Sequence, residues 1–286
     1  MPSLLSITCN AQPVLDWFQQ TDTVAPGPAL MNEVNAVFVM GHHHLTTLLH
    51  LTRVLNESQR ALPVAISGGL GRGTLFVRRK IEAFFSAHEL PLPTAIESLS
   101  EARLIASFLD AVRCPKAGDW YLEEKAQHST ANCQLTLRLY GATLQLNKPE
   151  TTIAIVQCPT QRYRATAAAH NVFKCKTKTL LLAPIDLTRV SEMDQVIHIF
   201  RLVGLRSHGI EGELEILKQF HVAEYNRVPD DIRNSYDRIA TSFDQLVAGG
   251  ARQYWDVIRH VAETDPAKVQ QAVQPDTGKG GDSGLS

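Results

Sequence analysis

Pro63-Val64-Ala65-Ile66-Ser67-Gly68-Gly69-Leu70-Gly71-Arg72-Gly73 is a short apolar run that stops at four glycines within six positions. The run has the length and β-branched content of a buried strand, and residues 74–88 follow it with amphipathic helical spacing. The stretch therefore reads as strand, glycine-rich loop, helix. Glycines at such a place let backbone N–H groups approach an anion that the following helix dipole also favours. They equally suit a tight β–α turn with no ligand. The spacing is neither G-x-G-x-x-G nor G-x-x-x-x-G-K-[ST], so it assigns no dinucleotide or P-loop function.

Outward from this loop the same alternation recurs. Residues 35–41 (NAVFVMG) are a strand candidate, and residues 44–55 carry leucines at helical spacing. The helix expected at 75–87 is followed by a weaker strand segment at 94–97 and a helix at 100–112. Strand 120–124 leads to helix 130–140, strand 152–157 leads to helix 162–173, and strand 179–185 closes the series. This alternation predicts a Rossmann-like α/β fold, a mostly parallel sheet with helices on both faces. Right-handed crossovers then bring every β–α loop to the carboxyl edge, where ligands of open parallel sheets bind. The expected organisation is an N-terminal helical segment (1–34), the α/β domain (35–190), a C-terminal helical extension (191–264) and a disordered tail (265–286). Within the extension, helices are expected at 192–205, 212–220, 229–247 and 251–262. Pro229-Asp230-Asp231 is a credible helix start, because proline fits the first turn and carboxylates favour the positive end.

Composition narrows the function classes. The 286 residues are 44% hydrophobic and 20% charged, enough to bury a substantial α/β core. A formal charge of -1 and the absence of any long run of Lys or Arg argue against nucleic acid as a partner. No stretch approaches the roughly 18 uninterrupted apolar residues of a membrane span, and residues 1–18 lack the pattern of a secretory signal. A cytoplasmic protein with no membrane partner is expected. The five cysteines, Cys9, Cys114, Cys133, Cys158 and Cys175, form no C-x-x-C pair and read as reduced thiols.

The carboxyl edge collects the candidate site residues. Ser67, Gly68, Gly69, Gly71 and Arg72 follow one strand, and Arg72 is placed to meet an anion. Glu101 opens a helix, where it either answers the helix dipole or contacts ligand. Glu124 ends a strand, where a carboxylate can accept ribose hydroxyls or act as a base. Ser129 and Thr130 offer hydroxyls to a ligand or cap the next helix. Gln157, Arg162 and Arg164 follow another strand, and the arginines can clamp a phosphate or carboxylate or stand solvated on a helix. His42-His43-His44 also follows a strand, but three adjacent histidines cannot face one point. His50 would share a helical face with His43. With no pattern such as H-E-x-x-H, no metal cofactor is favoured. Cys133 and Cys158 lie near the same edge without a His or Asp at a spacing that would activate a thiol.

Taken together, Ile66-Ser67-Gly68-Gly69-Leu70-Gly71, the Glu101-Ala102 pair, Glu124 ahead of Ser129-Thr130, and Val156-Gln157-Cys158-Pro159-Thr160-Gln161-Arg162-Tyr163-Arg164 resemble the YdcF-like branch of the SanA/ElyC/YdcF family. The resemblance spans about residues 35–157 and, weakly, the C-terminal helices. After the equivalent strand the family pattern reads Glu-x-x-Ser-x-Asn-Thr-x-Glu-Asn, whereas this chain holds Glu124, Gln127, Ser129, Thr130, Asn132 and Cys133 and lacks the later Glu-Asn pair. The resemblance implies a Rossmann-like protein binding a nucleotide-type small molecule, S-adenosylmethionine being the first candidate. Membrane-anchored relatives are tied to envelope polysaccharide metabolism. The competing expectations are a hydrolase or transferase acting on phosphorylated or sugar substrates, metal-assisted or not, and a non-enzymatic interaction module. If there is catalysis, Glu124 is the expected base or ribose acceptor, with Arg72, Arg162 and Arg164 stabilising an anion.

Overall fold

Val37 of β1 (Ala36–Met40) stands beside Val64 of β2 (Val64–Ser67) on one side and Ala154 of β4 (Thr152–Val156) on the other. In this computed structural model β3 (Tyr121–Glu123) extends the sheet beyond β2, and β5 (Lys176–Leu180) extends it beyond β4. The result is an all-parallel sheet in the order β3-β2-β1-β4-β5, a Rossmann-like α/β architecture. The structure describes residues 3–20, 28–58, 60–71, 73–220, 222–249 and 258.

Strand composition explains the order. β1 (AVFVM) and β4 (TIAIV) are buried at every position, as central strands covered on both faces must be. β5 (KTKTL) keeps two lysines at the sheet edge, where charge discourages pairing with another chain. Successive side chains of β1 divide between two cores. Val37 and Val39 pack beneath α2 (Pro28–Glu33), α3 (Leu45–Glu57), α4 (Thr74–Ala87) and α5 (Glu101–Ala111). Ala36, Phe38 and Met40 pack against α6 (Ser129–Tyr140) and α7 (Arg162–Val172).

A third core joins the first and last helices of the described residues. It contains α1 (Leu4–Gln19), α8 (Glu192–Val203), α9 (Glu213–Gln219) and α10 (Asp230–Ala248), and Phe76 and Cys158 connect it to the α/β part. Among the described residues, no helix is long and apolar enough to cross a membrane.

Several expected elements differ. The segment 94–97 is no strand, and a single 3-10 turn, Ile96–Ser98, stands there instead. Pro91 and Pro93 remove two backbone donors just ahead of it, and Ala95 adopts a left-handed conformation at φ 53°. The last strand lies at Lys176–Leu180 rather than 179–185, because the alternating Lys-Thr residues suit a half-covered edge while the apolar residues beyond turn into the core. A two-stranded antiparallel ribbon, β6 (Gly204–Leu205) and β7 (Ile210–Glu211), appears where only helices were expected. The helix expected at 251–262 and the tail at 265–286 lie outside the described residues.

Gly204 decides where α8 stops. Its φ of 69° with ψ of -155° is a conformation that glycine alone adopts comfortably, and a Cβ there would press on the carbonyl of Ile210. Gly204→Ala is expected to destabilise the protein by about 2–4 kcal/mol, combining backbone strain and overpacking. Urea unfolding checks this, and a midpoint equal to wild type would contradict it.

Candidate functional site

The strand order reverses between β1 and β4, and a cleft of about 380 Å³ opens at their carboxyl ends. Gly41 and Gly68, Gly69, Gly71 and Gly73 form one wall, Gln157, Gln161 and Arg164 a second, and Arg201, Glu211 and Glu213 close it from the C-terminal helices. Glu101 also lines it.

Three amides of the glycine loop are bound within the protein rather than free for an anion. Gly68 N–H donates to Glu123 O (2.9 Å), Gly69 N–H to Ala126 O (2.7 Å) and Gly71 N–H to Thr74 Oγ1 (2.8 Å). These donors are already taken. A Cβ on Gly69 would also meet the backbone of residues 124–126 at 2.8–2.9 Å, so this glycine serves close packing of two loops. Around Glu101 the glycines make room for a carboxylate: a Cβ on Gly41 would collide with Oε2, and one on Gly73 would lie 2.8 Å from Oε1. Glu101 N–H and Ala102 N–H donate to Gly69 O and Gly68 O, which docks α5 on the loop and fixes the side chain over it. Thr74 Oγ1 donates to Glu101 Oε1 at 3.3 Å. Burial pushes the Glu101 carboxyl above the ordinary carboxylate range, against the opposing pull of Arg201 and Thr74.

Arg201, which the sequence reading missed, reaches the cleft from α8. Its guanidinium passes so close to Gly73 that a Cβ there would strike it, and it lies 5.6 Å from the Phe76 ring centroid. Burial lowers its pKa, while Glu101 is the strongest opposing influence. Arg164 pairs with buried Glu213 at 3.0 Å, and burial raises the Glu213 carboxyl in spite of Arg164 and Arg201. The buried atoms Arg164 Nε, Arg201 Nε and Glu213 Oε2 have no hydrogen-bond partner among the described residues. A signal for Arg201 does exist in the sequence. It stands with His198 in residues 196–203, whose other members are all apolar, so a charge there must face another buried group.

The strand-end carboxylates exchange roles. Glu124 does not line the cleft. Its carboxylate accepts from Ser100 Oγ (3.0 Å) and Arg103 Nε (3.0 Å) on α5, on the partly exposed outer side. Glu123, buried beside it, accepts from Ser67 Oγ (2.5 Å), Lys125 N–H (2.7 Å) and Ala126 N–H (3.1 Å). Glu123 thus shapes the loop that forms the cleft wall, and Ser67 serves Glu123 rather than a ligand.

The other predicted residues separate similarly. Ser129, Gln157 and Arg164 line the cleft, joined by Asn132, whereas Thr130 does not. The α6 cap is His128, whose Nδ1 accepts from Ala131 N–H at 3.2 Å, and not Ser129 or Thr130. Arg162 turns away from the cleft: Nε donates to Phe18 O (3.1 Å) and another guanidinium nitrogen to Gln20 O, tying down the end of α1. Arg72 lies outside the described residues.

His42 and His43 are buried on the loop after β1, and neither they nor His44 line the cleft. Burial lowers His42 to about 3 and His44 to about 4, so both are neutral near pH 7. His44 Nδ1 lies 2.8 Å from Thr47 Oγ1 at the start of α3, and His43 precedes that helix rather than sharing a face with His50. All five cysteines are free. Burial raises Cys133 to about 12 and Cys158 to about 11, which keeps them as thiols.

Comparison with models of known families and with curated proteins gives no match for the chain.

Proposed function

We propose that the cleft binds a nucleotide-type small molecule through an anionic group held by Arg164 and Arg201. The observation that carries this reading is the pair of guanidinium groups at the strand-order reversal, each with a buried Nε that has no partner among the described residues. Unsatisfied buried donors are costly, and a phosphate or carboxylate accepts from guanidinium nitrogens in fixed geometry. Ser129, Asn132 and Gln157 supply neutral polar contacts for a sugar or base. S-adenosylmethionine, whose carboxylate suits the arginines, is the first candidate, in keeping with the YdcF-like resemblance. Five free thiols and a near-neutral charge support a cytoplasmic protein without nucleic-acid partners.

A second reading, a hydrolase or transferase acting on a phosphorylated substrate, is favoured by Glu101. A carboxyl raised by burial in the lining of a cleft, near Arg201, is suited to transfer a proton. Glu101 replaces Glu124 as the residue expected to act.

Calorimetry and thermal melting with S-adenosylmethionine, AMP and ADP test the binding reading. A true ligand at a hundredfold excess over Kd adds about 2.7 kcal/mol of stability. Absence of heat and of any melting shift with all three would sink it. Turnover of a phosphorylated probe, lost in Glu101→Gln, would favour the second reading.

Sulfate provides a pH test because its own charge is constant across the neutral range. Protonated Glu101 leaves Arg201 to the anion, whereas ionised Glu101 competes for it, and Glu213 acts in the same sense on Arg164. Both carboxyls are raised, so sulfate affinity is expected to fall as pH rises through their titration above the ordinary carboxylate range, with a shallower fall in Glu101→Gln. A flat wild-type profile would count against the arrangement.

A further inference from the structure

Outside the cleft lining, three residues from separate elements bring metal-ligating atoms together. His43 follows β1, Cys158 follows β4 and His198 lies on α8. All three are buried, and one ligand atom from each falls within 4.8 Å of the others. His43 Nε2 and His198 Nδ1 are 3.4 Å apart. That is near the long limit of a hydrogen bond between the two rings. It matches the edge of a tetrahedron around zinc, which zinc–nitrogen bonds of about 2.0–2.1 Å set at about 3.3–3.4 Å.

We propose that His43, Cys158 and His198 bind one zinc ion, with water completing the coordination, and so clamp α8 to the carboxyl edge of the sheet. Two imidazoles and a thiolate are a donor set suited to zinc. Burial keeps both imidazoles neutral, the form that donates a lone pair to a metal. Zinc binding displaces the thiol proton of Cys158 to solvent, and the thiolate then bonds the metal with no change of oxidation state. Thr160 Oγ1, 3.3 Å from Cys158 Sγ, is placed to donate to that sulfur. The positive charge of Arg201 next to the cluster is opposed by Glu101 and Glu213. Because α8 also carries Arg201, the clamp would hold that side chain in the cleft.

The test uses the full chain. Zinc content is measured on protein purified in zinc-supplemented medium, and chelator-stripped protein is titrated with cobalt. About one zinc per chain is expected, and cobalt should give the thiolate charge-transfer band and intense visible bands of a tetrahedral site. Cys158→Ser should remove the charge-transfer band and weaken metal binding at least about tenfold. Absence of stoichiometric metal and of cobalt bands in the wild type would overturn the proposal, whatever the variants do. A charge-transfer band that persists in Cys158→Ser would overturn it as well, since the thiolate would then come from another cysteine. Cys9→Ser, at an exposed position, should leave the band unchanged.

Discussion

Replacing Arg201 by methionine is expected to weaken binding of S-adenosylmethionine, AMP or ADP, whichever binds the wild type, by about 2–5 kcal/mol. That corresponds to a loss of roughly thirtyfold to a thousandfold or more. Methionine keeps much of the aliphatic bulk against Phe76 and removes the charge and its donors. The fold should survive, because burial already raises Glu101 and allows it to take up a proton when its partner is lost. Arg201→Lys should recover only part of the affinity, since a point charge cannot reproduce a planar fork. Arg103→Met is the control. Arg103 pairs with Glu124 on the outer side, so its loss should leave binding unchanged. Calorimetry on the three variants decides the matter, and wild-type affinity in Arg201→Met would remove the basis of the proposed site.

Glu123→Ala is expected to destabilise the protein by about 3–5 kcal/mol, whereas Glu124→Ala should cost less than about 1 kcal/mol. Loss of Glu123 leaves Ser67 Oγ without its carboxylate acceptor and the N–H groups of Lys125 and Ala126 without theirs, in a buried loop turn. Hydrogen bonds to a carboxylate are individually the stronger kind, although their contributions do not simply add. Loss of Glu124 breaks a solvent-screened pair whose side chains are 55% and 35% exposed. Urea unfolding at unchanged slope measures both. Equal costs for the two variants would show that the loop does not depend on the inward carboxylate.

These adjacent glutamates mark where local sequence stops being informative. Either could end the strand and face the ligand edge, and only the register of β3 beside β2, which sets Ser67 against Glu123, decides between them. The glycine loop was legible as a strand-to-helix junction, but its purpose was not. Gly41, Gly68 and Gly73 surround a carboxylate from position 101, and no local pattern encodes that approach.

By itself the sequence determined most of the alternation of strands and helices, the parallel sheet and the edge at which the cleft opens. Those properties follow from periodicity within single elements: unbroken apolar runs for central strands and helical spacing between them. Only the tertiary structure decided that Arg162 fastens α1 while Arg164 faces the cleft, that Arg201 enters it from α8, and that His43, Cys158 and His198 meet. Each of these depends on crossovers that bring separate elements together, in the case of His43 and His198 from 155 residues apart. A residue's own neighbourhood in the chain specifies which face it buries, and the packing of whole elements specifies what it meets there.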